Sequence, residues 1–123
     1  MSAVILYVDD NPQNMRLVRK MLSAAGYDML EAMDGTTGLE MARTRRPDLI
    51  LMDINLPDID GVQVTSMIKA NPALRHIPVI ALTANAMFGD RERFLEAGCD
   101  GYLAKPVSRK ELLETIESFL HAS

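Results

Sequence analysis

The sequence has one cysteine, no tryptophan and few aromatic residues of any kind. A lone cysteine, Cys99, cannot form an internal disulfide, so the fold does not depend on an oxidising compartment. No stretch approaches the roughly 20 apolar residues that a membrane span needs. The amino terminus also lacks the charged and long apolar segments of a secretion signal. These absences predict a cytoplasmic protein without a membrane partner.

Basic residues are also too few and too scattered for a nucleic-acid surface. The 123 residues include 13 Lys and Arg against 17 Asp and Glu, and the formal net charge is −4. The densest basic cluster is only Arg43, Arg45 and Arg46. Because phosphate contacts need a concentrated cationic surface, we expect no nucleic-acid partner. A chain of this length, with no repeat or linker, is expected to form one domain.

Short apolar runs alternate with segments of helical spacing. The strongest runs cover 3–8, 48–54 and 77–83, and weaker ones cover 28–32 and 101–104. Five such runs separated by five helical segments predict βαβ units and a parallel sheet. The strong runs are apolar on both faces, which is typical of strands covered by helices on both sides.

Terminal signals mark the first and last helices. Asn11 can cap a helix over 12–25, and Gly26 can close it. Ser108 and Glu111 have capping-box spacing at the start of the last helix. The whole pattern predicts a flavodoxin-like (βα)5 three-layer sandwich with strand order 2-1-3-4-5, the weaker runs at the edges. In such sheets ligands bind at the carboxyl ends of the strands, next to the first and third strands.

Polar residues follow the predicted strands at this edge of the sheet. They are Asp9 and Asp10 after the first strand, Asp53 and Asn55 at the third, Thr83 and Asn85 at the fourth, and Lys105 after the fifth. Three neighbouring carboxylates disfavour one another's ionisation. Mg²⁺ prefers oxygen ligands, and together with Lys105 it would bring the formal charge of the acids to zero. The sequence therefore predicts a magnesium site.

A site of this composition suits an incoming phosphoryl group. The metal and Lys105 can neutralise phosphoryl oxygens, and the Thr83 hydroxyl can donate a hydrogen bond to them. Aspartate carboxylates attack phosphorus to give acyl phosphates. Asp53, a carboxylate at the end of an otherwise apolar run, is the predicted nucleophile.

The chain resembles the receiver domain of two-component response regulators. The similarity runs from "VILYVDDNPQN" through "PDLILMDINLPDIDG" and "PVIALTANA" to "GYLAKPV". The positions that carry it are Asp9, Asp10, Asp53, Thr83, Tyr102 and Lys105. The resemblance implies that Asp53 is phosphorylated by a phosphohistidine on a histidine kinase or a histidine phosphotransfer protein, or by a small donor.

The resemblance also implies a role for each remaining site residue. Asp10, Asp53 and the Asn55 backbone carbonyl would hold Mg²⁺, with Mn²⁺ as an alternative, and Asp9 would act through water. Thr83 and Tyr102 would be switch residues, and Lys105 would pair with the phosphoryl oxygens. Asn55 and Asn85 would tune phosphoryl lifetime. Two alternatives stay open: Tyr102 can simply pack in the strand, and Leu17 can be either a fringe core residue or a docking contact for a phosphotransfer protein.

As a whole, the resemblance implies a receiver domain over 1–123 with no output domain. It would signal to a downstream protein through the face around its fourth and fifth helices, as a cell-fate type regulator or a hybrid-kinase receiver. It would not be an enzyme beyond Mg-dependent self-phosphorylation and autodephosphorylation.

Rival functions fit the residues less well. A haloacid-dehalogenase-type phosphatase needs a second acid at position 55 as general acid, and Asn55 cannot serve. A flavodoxin needs a phosphate loop rich in glycine and hydroxyl groups, whereas "DDNPQN" is acidic. A receiver relic that never takes phosphate would have lost at least one key residue, and none is lost.

Overall fold

Strands and helices alternate along the chain in the computed structural model, which describes residues 3–84 and 90–120. The strands are β1 Val4–Val8, β2 Asp28–Ala32, β3 Leu49–Asp53, β4 Val79–Thr83 and β5 Gly101–Ala104. The helices are α1 Pro12–Ala24, α2 Gly35–Arg45, α3 Gly61–Ala70, α4 Asp90–Glu96 and α5 Arg109–Leu120. Within these described ranges, no helix has both the length and the hydropathy of a membrane span.

All five strands pair in parallel in the order β2-β1-β3-β4-β5. The predicted flavodoxin-like order is therefore confirmed, and the two weaker apolar runs are the edge strands. The register pairs Val8 with Met52, and Thr83 with Ala104. The carboxyl ends of these four strands consequently lie side by side, and the chain segments that follow them meet at one edge of the sheet.

The sheet separates two apolar layers. One contains buried residues of α1 and α5, such as Val18 and Ile116, and the other contains residues of α3 and α4, such as Ile68 and Phe94. All residues of β3 and β4 are buried. Because alternate side chains of a strand point to opposite faces, each central strand contributes to both layers. This explains why β3 and β4 are apolar up to their last residues, Asp53 and Thr83.

Local signals fix the helix ends as predicted. The Asn11 side chain accepts hydrogen bonds from two backbone N–H groups at the start of α1. After α1, Gly26 has a φ of 87°, a left-handed conformation that favours glycine. At the start of α5, the Glu111 backbone N–H donates to Ser108 Oγ at 3.1 Å. The Asn11 and Ser108 caps therefore set where the loops that carry Asp10 and Lys105 end.

The start of α3 lies directly against the end of β3. A Cβ atom at Gly61 would lie 2.2 Å from the Asp53 carbonyl oxygen, so only glycine fits without a backbone shift. The Gly61 N–H also donates to the Ile54 carbonyl at 3.0 Å. This contact closes the loop that follows Asp53 and fixes its return to the sheet.

Candidate functional site

Three carboxylates converge where β1 and β3 end. Oxygen atoms of Asp9, Asp10 and Asp53 all lie within 4.8 Å of one another. Asp9 is fully buried and Asp53 is 3% exposed, whereas Asp10 is open to solvent. The predicted convergence of the acids is thus present, with two of them inside the protein and one at its surface.

Lys105, after β5, provides the cation of this cluster. Its Nζ lies 3.0 Å from Asp9 Oδ2 and 3.1 Å from Asp53 Oδ1. The Lys105 backbone N–H donates to the Thr83 carbonyl at 2.8 Å, which ties the loop to the end of β4. One ammonium group therefore bridges the two buried carboxylates.

Asp9 is the better satisfied of the two buried acids. Its Oδ2 accepts hydrogen bonds from the Tyr7 hydroxyl and from Lys105, with Asn14 Nδ2 at 3.4 Å. Its Oδ1 accepts the Asn11 N–H at 2.9 Å. Burial by itself would raise the pKa of Asp9, but the hydrogen bonds from Tyr7, Asn11 and Lys105 outweigh it and lower the pKa. Asp9 is held as a carboxylate.

Asp53 has fewer partners and a pKa shifted the other way. Besides Lys105, it accepts only a long hydrogen bond, 3.3 Å, from the Asn55 N–H within the described residues. Burial raises the pKa of Asp53; the Lys105 charge opposes this, the Asp9 charge adds to it, and the pKa stays above its usual value. Lys105 itself stays charged, because its two carboxylate partners raise its pKa in spite of burial. With respect to the described part of the chain, Asp53 thus has oxygen lone pairs left for another ligand.

The other predicted site residues, Thr83, Tyr102, Asn55 and Asn85, lie in different parts of the chain. Thr83 is buried at the end of β4, on the same edge as Lys105. Tyr102 is half-buried in β5, where it pairs in register with Ala81 and packs against the apolar layer of α3 and α4. Asn55 is exposed in the loop after Asp53, and Asn85 lies outside the described residues.

Two residues near the acids were not singled out from the sequence, Tyr7 and Asn14. Tyr7 precedes Asp9 by two positions, so both side chains point to the same side of the extended chain. An aromatic hydroxyl in the otherwise aliphatic run "VILYV" was the available signal. Asn14 lies on the first turn of α1 and reaches back to Asp9, which only the three-dimensional structure reveals.

Asp58 fastens the loop after β3 to the start of α2. Its carboxylate accepts the Gly35 N–H at 2.8 Å, the Thr36 N–H at 3.0 Å and the Thr36 hydroxyl. The Thr36 and Gly35 hydrogen bonds hold the pKa of Asp58 far below its usual range. The loop that carries Asn55 is therefore anchored at a second point besides Gly61.

A small groove runs from the surface of α1 toward Lys105. Its volume is about 40 Å³, and its lining residues are Tyr7, Asn14, Leu17, Val18, Lys105, Pro106 and Val107. Leu17 is 47% exposed at this groove. That exposure disfavours the fringe-core interpretation of Leu17 and leaves it as a surface residue next to the site.

The donor set fits a hard divalent cation. Such ions take carboxylate and carbonyl oxygens and retain several waters. Here the exposed Asp10 and the incompletely satisfied Asp53 offer oxygens beside each other, and solvent reaches Asp10. Both Asp9 oxygens already accept hydrogen bonds from protein groups. The cluster therefore has two carboxylates suited to direct contact and one suited to contact through water.

A parallel sheet of this order, with an acidic cluster and a lysine at its carboxyl edge, is the arrangement of a receiver domain, and the family comparison agrees. The response regulator receiver domain model matches residues 5–117. The chain belongs to this family and acts as a phosphoacceptor in two-component signalling.

Related proteins match over nearly the whole chain. The polar-differentiation response regulator DivK of Brucella anthropi is 48% identical over 116 residues, 94% of each chain. DivK of Brucella ovis is 47% identical over 120 residues, 98% of each chain. These matches set aside the phosphatase and flavodoxin alternatives.

Solved structures of receiver domains have the same fold. The receiver domain of sensor histidine kinase PA1611 from Pseudomonas aeruginosa is 42% identical with a TM-score of 0.93, covering 99% of this chain and 100% of its own, and its structure is described with a magnesium ion coordinated in the active site cleft. The chemotaxis response regulator CheY4 of Vibrio cholerae is 28% identical with a TM-score of 0.92, covering 98% of this chain and all of its own. Both a response regulator and the receiver domain of a histidine kinase are therefore among its neighbours.

Proposed function

We propose that Asp53 is the residue that takes the phosphoryl group. The supporting observation is the asymmetry between the two buried acids: both oxygens of Asp9 accept hydrogen bonds from protein groups, while Asp53 accepts only from Lys105 and the distant Asn55 N–H among the described residues. A carboxylate with free lone pairs next to a cation is the better nucleophile. The donor is a phosphohistidine on a histidine kinase or phosphotransfer protein, or a small compound such as acetyl phosphate.

The transfer is a displacement at phosphorus. An Asp53 carboxylate oxygen forms the new P–O bond while the P–N bond of phosphohistidine, or the P–O bond of acetyl phosphate, breaks. The leaving nitrogen or acetate oxygen keeps the electron pair of the broken bond. Autodephosphorylation is the attack of water on the same phosphorus, which returns the Asp53 carboxylate and releases inorganic phosphate. No other enzymatic activity is proposed.

Asp10, Asp53 and the Asn55 backbone carbonyl would hold Mg²⁺, or Mn²⁺ in its place, with Asp9 acting through water. The hydrogen bonds that both Asp9 oxygens already accept support this indirect role. When bound, the ion supplies positive charge that offsets the negative charge of the acids and of the incoming phosphoryl group. The chain's own contribution is to hold Asp53 beside Lys105, whose charge partly offsets the burial that raises the pKa of Asp53.

Lys105 and Thr83 are the groups that respond to the new charge. The Lys105 ammonium can exchange a carboxylate oxygen for a phosphoryl oxygen, and the Thr83 hydroxyl at the end of β4 can donate to another. Tyr102, half-buried beside the layer of α3 and α4, then repacks and changes the face of α4, β5 and α5 that a downstream protein reads. Asn55 and Asn85 tune the lifetime of the phosphoryl group.

The proposed protein acts as a receiver domain over 1–123. It works in the cytoplasm through protein contacts and binds neither nucleic acid nor membrane.

The phosphoryl donor approaches along the groove beside α1. Leu17 is exposed there, and the groove leads to Lys105. Leu17→Ala should slow transfer from a phosphorylated histidine phosphotransfer protein about tenfold or less, because one exposed side chain contributes modestly. It should leave transfer from acetyl phosphate unchanged. Met67→Ala, at a similarly exposed methionine on α3, is the matched control.

Intact mass after incubation with acetyl phosphate and Mg²⁺ tests the proposal as a whole. One phosphoryl group should be gained by the wild type, and none by Asp53→Asn or by the wild type with a chelator. Equal labelling of Asp53→Asn would contradict the assignment of Asp53. If no label survives, beryllofluoride binding tests whether the acyl phosphate forms and is lost quickly.

A further inference from the structure

We propose that Tyr7 is a positioning residue that keeps Asp9 satisfied while Lys105 changes partners. The inference rests on the proposed function, in which Lys105 turns toward a phosphoryl group on Asp53. This tyrosine is neither one of the positions that carry the resemblance to receiver domains nor a member of the predicted acid cluster. It follows from the contacts of a single oxygen atom.

Asp9 Oδ2 is shared between a mobile donor and a fixed one. Lys105 Nζ reaches it at 3.0 Å from a flexible side chain that also contacts Asp53. The Tyr7 hydroxyl reaches the same oxygen from the middle of the sheet. Asn14 Nδ2 is more distant, at 3.4 Å. Tyr7 is therefore the close donor to this oxygen that does not also serve Asp53.

Tyr7 is held rigidly in this position. The residue is 1% exposed and packs in the apolar layer of α1 and α5. Its backbone pairs with Glu31 on one side and with Leu51 on the other. A ring fixed by two neighbouring strands and a packed layer cannot follow Lys105 when the ammonium group moves.

Losing Lys105 without a substitute would leave Asp9 as a buried charge short of donors. Such a group is costly, because removal from water is no longer offset by hydrogen bonds. A hydroxyl bound to a carboxylate is among the stronger hydrogen bonds. With Tyr7 on Oδ2 and the Asn11 N–H on Oδ1, Asp9 keeps a donor on each oxygen. Tyr7 thereby lowers the free-energy cost of releasing Lys105 to the phosphoryl group.

The test is Tyr7→Phe, which removes the hydroxyl and keeps the ring. Affinity for beryllofluoride, a phosphoryl mimic, is measured by calorimetry with saturating Mg²⁺, and affinity for Mg²⁺ alone is measured separately. We expect beryllofluoride to bind about tenfold more weakly, the size of one hydrogen bond to a charged group. Mg²⁺ should bind within twofold of the wild type. Tyr27→Phe, at the opposite edge of the sheet, is the matched control and should change neither affinity.

The same substitution in a variant that lacks the Lys105 ammonium group distinguishes a positioning role of Tyr7 from a general loss of structure. In Lys105→Met there is no ammonium to release, so adding Tyr7→Phe should change beryllofluoride affinity by less than twofold. A tenfold loss that persists in this background would overturn the proposal, as would equal loss of Mg²⁺ and beryllofluoride affinity. Tyr7→Leu, which also lacks the hydroxyl, should reproduce the tenfold loss if Tyr7→Phe folds poorly.

Failure of the proposed function gives a different result. If the wild type itself does not bind beryllofluoride in the presence of Mg²⁺, the phosphoacceptor assignment fails together with this inference. If the wild type binds it and Tyr7→Phe binds equally well, only the role of Tyr7 is refuted.

Discussion

Neutralising one of the two buried carboxylates beside Lys105 should lower the stability of the protein, and neutralising the other should raise it. Asp9→Asn should lower the free energy of unfolding at neutral pH in the absence of divalent ions. Asp53→Asn should raise it. The substitutions are nearly isosteric, the residues are neighbours, and both contact the same ammonium group.

For Asp9 the charged form is the stabilised one. Its pKa is lower in the folded protein than in the unfolded chain, because hydrogen bonds from Tyr7, Asn11 and Lys105 outweigh burial. Its contribution is therefore present above the unfolded pKa of about 3.9 and is lost as the pH falls through the folded value. Asparagine cannot replace charge-assisted hydrogen bonds at full strength, so we expect a loss of about 2 kcal/mol at pH 7.

For Asp53 the effect of the charge on the stability of the protein has the opposite sign. Burial and the Asp9 charge raise its folded pKa, so its contribution is fully present below the unfolded pKa and is lost as the pH rises through the folded value. At pH 7 the ionised group opposes folding. Removing its charge should therefore stabilise the protein, by on the order of 1 kcal/mol, the low end of the cost of burying a polar group whose hydrogen bonds are incomplete.

Urea unfolding followed by circular dichroism, with a chelator present, measures both effects. The difference between the Asp53→Asn variant and the wild type should shrink as the pH is lowered toward 4, because the wild-type carboxyl becomes protonated. Adding Mg²⁺ should stabilise the wild type more than either variant. Changes of the same sign at pH 7 for both substitutions would refute the asymmetry of the site.

Three further predictions concern residues outside the acid cluster. Gly61→Ala should cost about 2–3 kcal/mol of stability and weaken Mg²⁺ binding, because its Cβ would collide with the Asp53 carbonyl. The Cys99 thiol, buried and with its pKa raised to about 11 first by burial and then by Asp100, should react with a disulfide reagent at pH 8 at least tenfold more slowly than free cysteine. Lys69→Met should cost about 2 kcal/mol, because its ammonium donates to Asp100 and to two backbone carbonyls.

Each of these has a matched control. Ser66 lies on the exposed side of α3, and Ser66→Ala should change stability by less than about 0.5 kcal/mol. The ion pair between Arg43 and Glu40 is exposed, so Arg43→Met should have an equally small effect. The Cys99 reaction should reach the free-cysteine rate in denaturant. A Gly61→Ala variant as stable as the wild type would show that α3 can move away from β3 freely. Fast labelling of native Cys99 would contradict its burial.

The fold was predictable because the sequence patterns that indicate it lie within short stretches of the chain. The runs at 3–8, 48–54 and 77–83 are apolar at successive positions, which only strands covered on both faces require. Right-handed crossovers and the weak edge runs then leave few orders for the sheet. Asn11 and Gly26 fixed the limits of α1 for the same reason, since capping depends on neighbours in sequence.

The convergence of the acids and the lysine was predictable, but the contacts between them were not. Parallel strands bring Asp9, Asp53 and Lys105 to one edge whatever the details of the loops. The pairing of donors with carboxylates depends on distances between segments that are far apart in sequence. The bridge that Lys105 forms between the two buried carboxylates is an example. The contribution of Tyr7 was concealed for a simpler reason: a strand tyrosine is ordinarily a packing residue, and only its hydroxyl distinguishes it.

Chemical localisation of the phosphoryl group tests the assignment of Asp53 most directly. After incubation with acetyl phosphate and Mg²⁺, borohydride reduces an aspartyl phosphate to homoserine, which tandem mass spectrometry of the peptides can place. We predict homoserine at position 53 in the wild type, none at positions 9 and 10, and none in the Asp53→Asn variant. Homoserine at position 9 or 10 in the wild type would contradict the assignment of Asp53 as the nucleophile.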